Sequence, residues 1–160
     1  MKKYLFTVAL ASLFIFAACQ KEEVSHTGDE TGNLYAVWAL DSKTEISKDS
    51  NGKETSNKYD YSEFHYYLVF GEVPFPHAIA KKGSFTNIDL DDVDVDAVRF
   101  TYNAEKRQIS FNQALWLSEG LLYHMRLSGT YDVLELTDKK LTLQQEVLGI
   151  KTIFSYHKFK

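Results

Sequence analysis

The chain has 160 residues, a formal net charge of -4 and a single cysteine, and 44% of its residues are hydrophobic. This length fits one domain with a short leader, and the apolar content suffices for a packed core. Nucleic-acid binding needs a clustered cationic face, so the acidic balance argues against a nucleic-acid partner. One cysteine also excludes an internal disulfide.

The N-terminal segment has the pattern of an export signal. Residues 1–3 (MKK) are positively charged, and residues 4–18 form an apolar run without a charge. The run is shorter than the roughly 20 residues that a membrane-spanning helix needs. A charged start followed by a short apolar segment indicates a secretory signal. Residues 16–19 (FAAC) resemble the lipobox of bacterial lipoproteins, and the alternatives are an ordinary signal peptide or an apolar core helix.

The lipobox resemblance implies that residues 1–18 are removed and that Cys19 carries acyl chains such as palmitate. Several acyl chains give firm membrane attachment. The polar residues 19–33 then form a flexible tether between the lipid and the domain. Gln20, in place of Asp, favours the outer membrane by the same resemblance. The acidic pair at 22–23 resembles a surface-export tag, and both the periplasmic face and the cell surface stay open.

The first half of the mature chain predicts two strands around a long polar stretch. Residues 34–40 (LYAVWAL) are rich in aromatic and branched side chains and predict the first strand. Residues 41–58 contain the turn dipeptide NG and predict either a mobile loop or a hairpin with an extended tip. Residues 61–70 (YSEFHYYLVF) predict a second strand, with Phe64 and the even-numbered residues after it on one face.

The second half predicts further strands separated by turn residues. Prolines at 74 and 76 interrupt pairing because proline donates no ladder hydrogen bond. Two apolar-polar alternations flank residues 137–139 (TDK) and predict a tight hairpin. Turn residues 128–129 (SG) are predicted to separate two strands. The strands predicted here are 83–90, 95–102, 108–116, 121–127, 131–136, 140–145 and 150–159.

The strand count decides the predicted fold class. No segment after residue 33 has the sustained apolar stripe of a helix. Eight or nine short strands in close succession predict an all-β fold. The architecture predicted is an antiparallel up-and-down barrel of about eight strands, with a β-sandwich as the alternative. Closure would pair the backbone groups that an open sheet leaves unpaired at its two edge strands.

Three segments carry a resemblance to a known family: 34–38 (Leu-x-x-x-Trp), 129–143 (GTYDVLEL with LTL behind it) and 154–159 (FSYHKF). From Leu34 to Phe159 the chain resembles the small lipocalin-like lipoproteins of Gram-negative bacteria. Lipocalins proper carry Gly-x-Trp in the first strand, and here Ala takes the place of Gly. The resemblance implies an eight-stranded barrel with one cavity over residues 34–160. It implies no particular ligand, because such barrels serve unrelated roles.

Motifs of catalysis are missing from the sequence. It has no Gly-x-Ser-x-Gly elbow, phosphate loop or His-Glu-x-x-His helix, and Cys19 is used for lipid. The sequence therefore predicts a protein that is not an enzyme and needs no cofactor.

Metal sites are disfavoured for a similar reason. Histidines 65, 77, 124 and 157 lie on separate predicted elements, and a lone strand histidine is more often hydrogen-bonded near the core than a zinc ligand. Residues 89–96 (DLDDVDVD) hold five carboxylates but lack the glycine of an EF-hand loop. They favour a solvated acidic turn over a calcium site.

Aromatic residues are the remaining signal for a binding site. Strand alternation can turn several rings toward a barrel interior, and the candidates are Trp38, Phe64, Tyr66, Phe111, Trp116 and Tyr123. A ring-lined interior suits a small hydrophobic or aromatic ligand, unless the rings simply fill it. The function predicted is non-catalytic binding by a lipid-anchored outer-membrane protein. The alternative is a module that engages another envelope protein through loops 41–58 and 72–82.

Overall fold

Short β-prone segments separated by turn residues fold into nine strands. The computed structural model describes residues 30–82, 97–119 and 122–160, and none of these residues is helical. Accordingly, these ranges hold no helix that is long and apolar enough to span a membrane. The strands are β1 (Val37–Lys48), β2 (Glu54–Asp60), β3 (Tyr66–Gly71), β4 (His77–Lys82), β5 (Val98–Asn103), β6 (Gln108–Glu119), β7 (Leu122–Leu136), β8 (Lys140–Val147) and β9 (Ile150–Lys158).

Eight of these strands close into an antiparallel up-and-down barrel, as the sequence predicts. Strands β3 to β9 pair in chain order, and β1 joins β3 to β9. One edge of β1 has two partners. Its first half pairs with β3, and its second half pairs with the ninth strand, β2. The closing β1–β9 ladder excludes the alternative of an open sandwich.

The chain enters at one end of the barrel, which we call the lower end. There Glu30 bridges to Leu136, and the backbone amides of Thr31 and Gly32 donate to the Leu136 carbonyl at 2.9 and 3.1 Å. A Cβ on Gly32 would lie 2.2 Å from the Thr137 carbonyl oxygen, so only glycine fits this approach. Residues 30–32, predicted as part of the tether, therefore already contact the barrel. The opposite end, with the β8–β9 turn, is the upper end.

The polar stretch 41–58 is a hairpin rather than a mobile loop. β1 runs on to Lys48, and β2 returns along it with Ser42 opposite Asp60 and Lys48 opposite Glu54. The Asp49 carboxylate accepts hydrogen bonds from the amides of Asn51 and Lys53 at 2.8 and 2.9 Å. This local side-chain bonding fixes the turn around the predicted NG dipeptide.

One predicted turn is wrong. Strand β7 passes through Ser128 and Gly129 without a break, because Gly129 adopts a φ of +75° and lets the strand bend. The register with β6 shifts at this bend. The Gln145 side-chain amide donates to the carbonyls of Ser128 and Thr130 at 2.8 and 3.0 Å. A bulge with side-chain support replaces the expected turn.

The predicted second strand also begins later than expected. The Asp60 carboxylate accepts hydrogen bonds from the Ser62 amide and hydroxyl, which starts a turn over residues 61–65. The strand then begins at Tyr66, so Phe64 lies in the turn. The strand predicted at 83–90, the acidic residues 89–96 and Cys19 lie outside the described residues.

Inward-facing side chains fill the lower part of the barrel. Trp38 is fully buried, and its indole N–H donates to the Leu34 carbonyl at 2.9 Å. Ring contacts also join strands that are not neighbours: Phe70 of β3 meets Phe111 of β6 at 6.3 Å, and Tyr131 of β7 meets Phe154 of β9 at 6.3 Å. Because these contacts cross the barrel, side chains occupy this part of its interior.

Candidate ligand-binding site

The structure divides the six predicted ring residues into three groups. Trp38, Tyr66 and Phe111 belong to one buried core cluster, with exposed fractions of 0%, 1% and 5%. Phe64 is 50% exposed. Trp116 and Tyr123 lie on β6 and β7, where they pair with Arg126 and Ser118, and their side chains are outside the description. The prediction that these six residues contact a ligand stays a prediction.

A cluster of three rings connects the core to the surface. Phe64 stacks on Tyr66 with centroids 5.8 Å apart and planes 19° apart, and Tyr61 packs against both rings at 5.8 and 5.9 Å. The Tyr61 amide donates to the Asp41 carbonyl at 2.8 Å, which ties the turn to β1. We call Tyr61, Phe64 and Tyr66 the upper aromatic cluster. It lies where β2 ends and β3 begins.

A bulge in β1 changes which residues face inward above this cluster. Register with β9 shifts between Leu40 and Ser42, so Lys43 lies opposite the buried Phe154 and Glu45 lies opposite Thr152. Residues directly opposite each other share one face of a sheet. The inner face of β1 therefore changes from apolar below the bulge to charged above it.

The charged residues above the bulge are held in place by their neighbours. Lys43 and Glu45 form an ion pair, and the Lys43 ammonium lies 5.8 Å from the Tyr59 ring centroid. At the bulge, the Asp41 carboxylate contacts the His157 ring nitrogen Nδ1 at 2.6 Å. Above the bulge, the Tyr59 ring thus lies beside a cation that is paired with a carboxylate.

Lys43, Glu45 and Tyr59 were not predicted as site residues. Lys43 and Glu45 fall within the stretch 41–58, which was predicted as a loop or hairpin without assigned faces, and Tyr59 follows it directly. Alternation along residues 42–48 could have identified a strand. The bulge that turns Lys43 inward has no signature in the sequence, because it depends on the register with β9.

Two core phenols are neutral groups at physiological pH. Burial raises the pKa of Tyr156 well above its ordinary value, and burial also raises the pKa of Tyr131. The Tyr131 hydroxyl donates to the Arg126 carbonyl at 3.4 Å. Both rings belong to the buried core cluster and pack in the interior as neutral groups.

Comparisons of the chain with protein-family models, with curated proteins and with solved structures found no match. Among the described residues, no three His, Cys, Asp or Glu side chains lie close enough together to hold a metal ion. What the upper end offers is a half-exposed ring stack and one ion pair. Such a surface can stack against a flat apolar molecule and orient a polar group on it.

Proposed function

We propose that the protein is a lipid-anchored, non-catalytic binding protein of the outer membrane. The upper end of its lipocalin-like barrel takes a small hydrophobic or aromatic ligand. The observation that carries the proposal is the stack of half-exposed Phe64 on buried Tyr66. A half-exposed ring that stacks on a core ring can pack against the ring of a ligand.

The ligand is assigned to the upper end because rings fill the lower part of the barrel. Contacts such as Phe70 to Phe111 already cross the interior there. Above the core, Tyr59 is 43% exposed and lies beside Lys43. A ligand at this level would not displace a packed core residue.

The membrane anchor is supported by residues 16–19, whose sequence FAAC resembles a lipobox. The chain reaches the barrel at Glu30, at the lower end. An anchor on Cys19 would therefore attach to the end opposite the binding platform. The expected test is metabolic labelling with a palmitate analogue: the native chain takes up label and Cys19→Ala does not. Label in Cys19→Ala, or no label in the native chain, would remove the anchor from the proposal.

Binding is tested with 2-naphthol as a fluorescent probe of the soluble chain 20–160. Stacking between two rings contributes about 0.5–1.5 kcal/mol beyond area burial. Phe64→Ala should therefore raise the Kd by about 3- to 10-fold. The matched control is Phe159→Ala, which removes a ring of similar exposure, 44%, from the lower end. Equal affinity of the two variants, or no saturable binding by the unmodified chain, would contradict the proposal.

A second candidate function is engagement of another envelope protein, and exposed apolar residues at the β8–β9 turn favour it. Leu148 is 98% exposed, and its neighbours Val147 and Ile150 are 53% and 46% exposed. In segment 72–82, by contrast, Ile79 is buried, Phe75 is half-buried and Val73 is 55% exposed. Crosslinking in intact envelopes from a photoreactive residue at position 148 should capture a partner. Capture at the same level from position 53 would show that the turn has no special role.

A further inference from the structure

A second candidate site lies on the outer face of the barrel, away from the upper aromatic cluster. Its centre is Arg99 on β5, whose guanidinium carbon lies 4.0 Å from the Phe75 ring centroid. In the part of the chain that the structure describes, Arg99 has no carboxylate partner. Stacking on Phe75 uses the flat face of the guanidinium and leaves its in-plane N–H donors for another group.

The guanidinium borders a surface depression of about 340 Å³. Its walls are the β3–β4 loop at Phe75 and Pro76 and the outer faces of β5 and β6. Thr101 lies opposite Ser110, whereas Phe100 and Phe111 point into the core. By alternation, Arg99 and Asn112 share the outward face with these two hydroxyl residues.

The side chains that line this depression differ in the hydrogen bonds they can offer to a ligand. The Ser110 hydroxyl is already bonded to the Thr130 hydroxyl at 2.8 Å. The Thr101 hydroxyl and the Asn112 amide are neutral donors within the lining. A single guanidinium presents a two-donor fork that matches a carboxylate. The Phe75 ring and Pro76 add an apolar wall beside this fork.

We propose that this depression binds a small ring-bearing carboxylate. The carboxylate pairs with Arg99, and the ring packs against Phe75 and Pro76. The volume lies at the lower end of the roughly 300–1,000 Å³ that small-molecule sites occupy, which limits the ligand to a single ring. The inference is independent of the ligand proposed for the upper end, because the two sites share no lining residue.

The test is an NMR titration of the protein as purified from envelopes in detergent micelles, with benzoate as the probe. Benzoate should shift the amides of residues 99–101 and 110–112 in a saturable manner. Arg99→Gln should raise the benzoate Kd about tenfold, as expected for loss of a charge-assisted hydrogen bond. Lys106→Gln, which makes the same charge change in the β5–β6 turn, should leave the Kd unchanged. The Kd is read from the amides of residues 99–101 and 110–112, so binding at the upper end does not enter it.

Two further probes test the chemistry of the ligand. Benzamide keeps the ring but has no charge, so it should bind the unmodified protein about tenfold more weakly than benzoate and be insensitive to Arg99→Gln. Inorganic phosphate has charge but no ring and should bind more weakly than benzoate. The proposal is overturned if benzoate and benzamide bind equally, if phosphate binds more tightly than benzoate, or if Arg99→Gln behaves like Lys106→Gln.

Discussion

Replacing Leu148 by asparagine should stabilise the protein. Leu148 and Gly149 form the β8–β9 turn with φ values of +52° and +76°. A non-glycine residue in this left-handed region costs of order 1–3 kcal/mol, and asparagine tolerates the region better than leucine. Because Leu148 is 98% exposed, its removal loses no packing. Leu148→Asn should therefore raise the free energy of unfolding by about 1 kcal/mol, or Tm by about 2–4 °C.

Urea denaturation with tyrosine fluorescence measures this change, and two variants serve as controls. Leu148→Ala removes the same exposed side chain but keeps a residue that disfavours a positive φ, so it should change stability by less than about 0.5 kcal/mol. Gly149→Ala should destabilise by about 1 kcal/mol, since a Cβ there meets no other atom within 4 Å and only the backbone conformation is strained. If Leu148→Asn and Leu148→Ala give the same urea midpoint, relief of backbone strain at this turn does not explain the change in stability.

Three other substitutions probe the barrel. Trp38→Phe leaves the Leu34 carbonyl without its indole donor and should cost about 1–3 kcal/mol in urea unfolding; a change near zero would show that water replaces the indole. Gln145→Leu removes two hydrogen bonds at the β7 bend and should cost about 1–2 kcal/mol, whereas Gln144→Leu on the other face should cost little. Burial holds the pKa of Tyr156 above that of the unfolded chain, so the folded state keeps the phenolic proton longer. Stability should be full below about pH 10 and fall as the pH rises above it. Tyr156→Phe should flatten this fall in urea midpoints, and an unchanged slope would refute the assignment.

Alternation and turn residues were sufficient to predict the barrel but not its irregularities. The β7–β8 hairpin forms around residues 137–139 as predicted, with the Thr137 hydroxyl accepting a hydrogen bond from the Lys140 amide at 2.9 Å. Gly129 was assigned to a turn because glycine serves turns and bends equally well. Only the long-range bonds from Gln145 show that the strand continues there. The local sequence does not determine whether Gly129 ends a strand or bends it.

The candidate sites were harder to predict than the fold for the same reason. Strand alternation placed Phe64 and Tyr66 on one face, whereas in the structure Phe64 lies in the turn before β3 and stacks on Tyr66 from there. Lys43 turns inward only through a register shift against β9. Arg99 contacts Phe75 because β4 and β5 pair there. His77, two residues after Phe75, lies opposite Arg99 in that pairing. Such juxtapositions depend on strand order and shear, which a single sequence leaves undetermined.

The position of Glu30 at the lower end determines how the barrel bears mechanical load. A pull between an anchor on the N-terminal segment and a molecule held at the upper end would run parallel to the strands. The first contacts to carry tension would be the Glu30–Arg107 ion pair and the short bridge to Leu136. Behind them, the β1–β9 ladder from Trp38–Lys158 to Ser47–Ile150 would be sheared as a whole instead of being unzipped pair by pair. The ladder that closes the barrel would thus resist such a pull in shear.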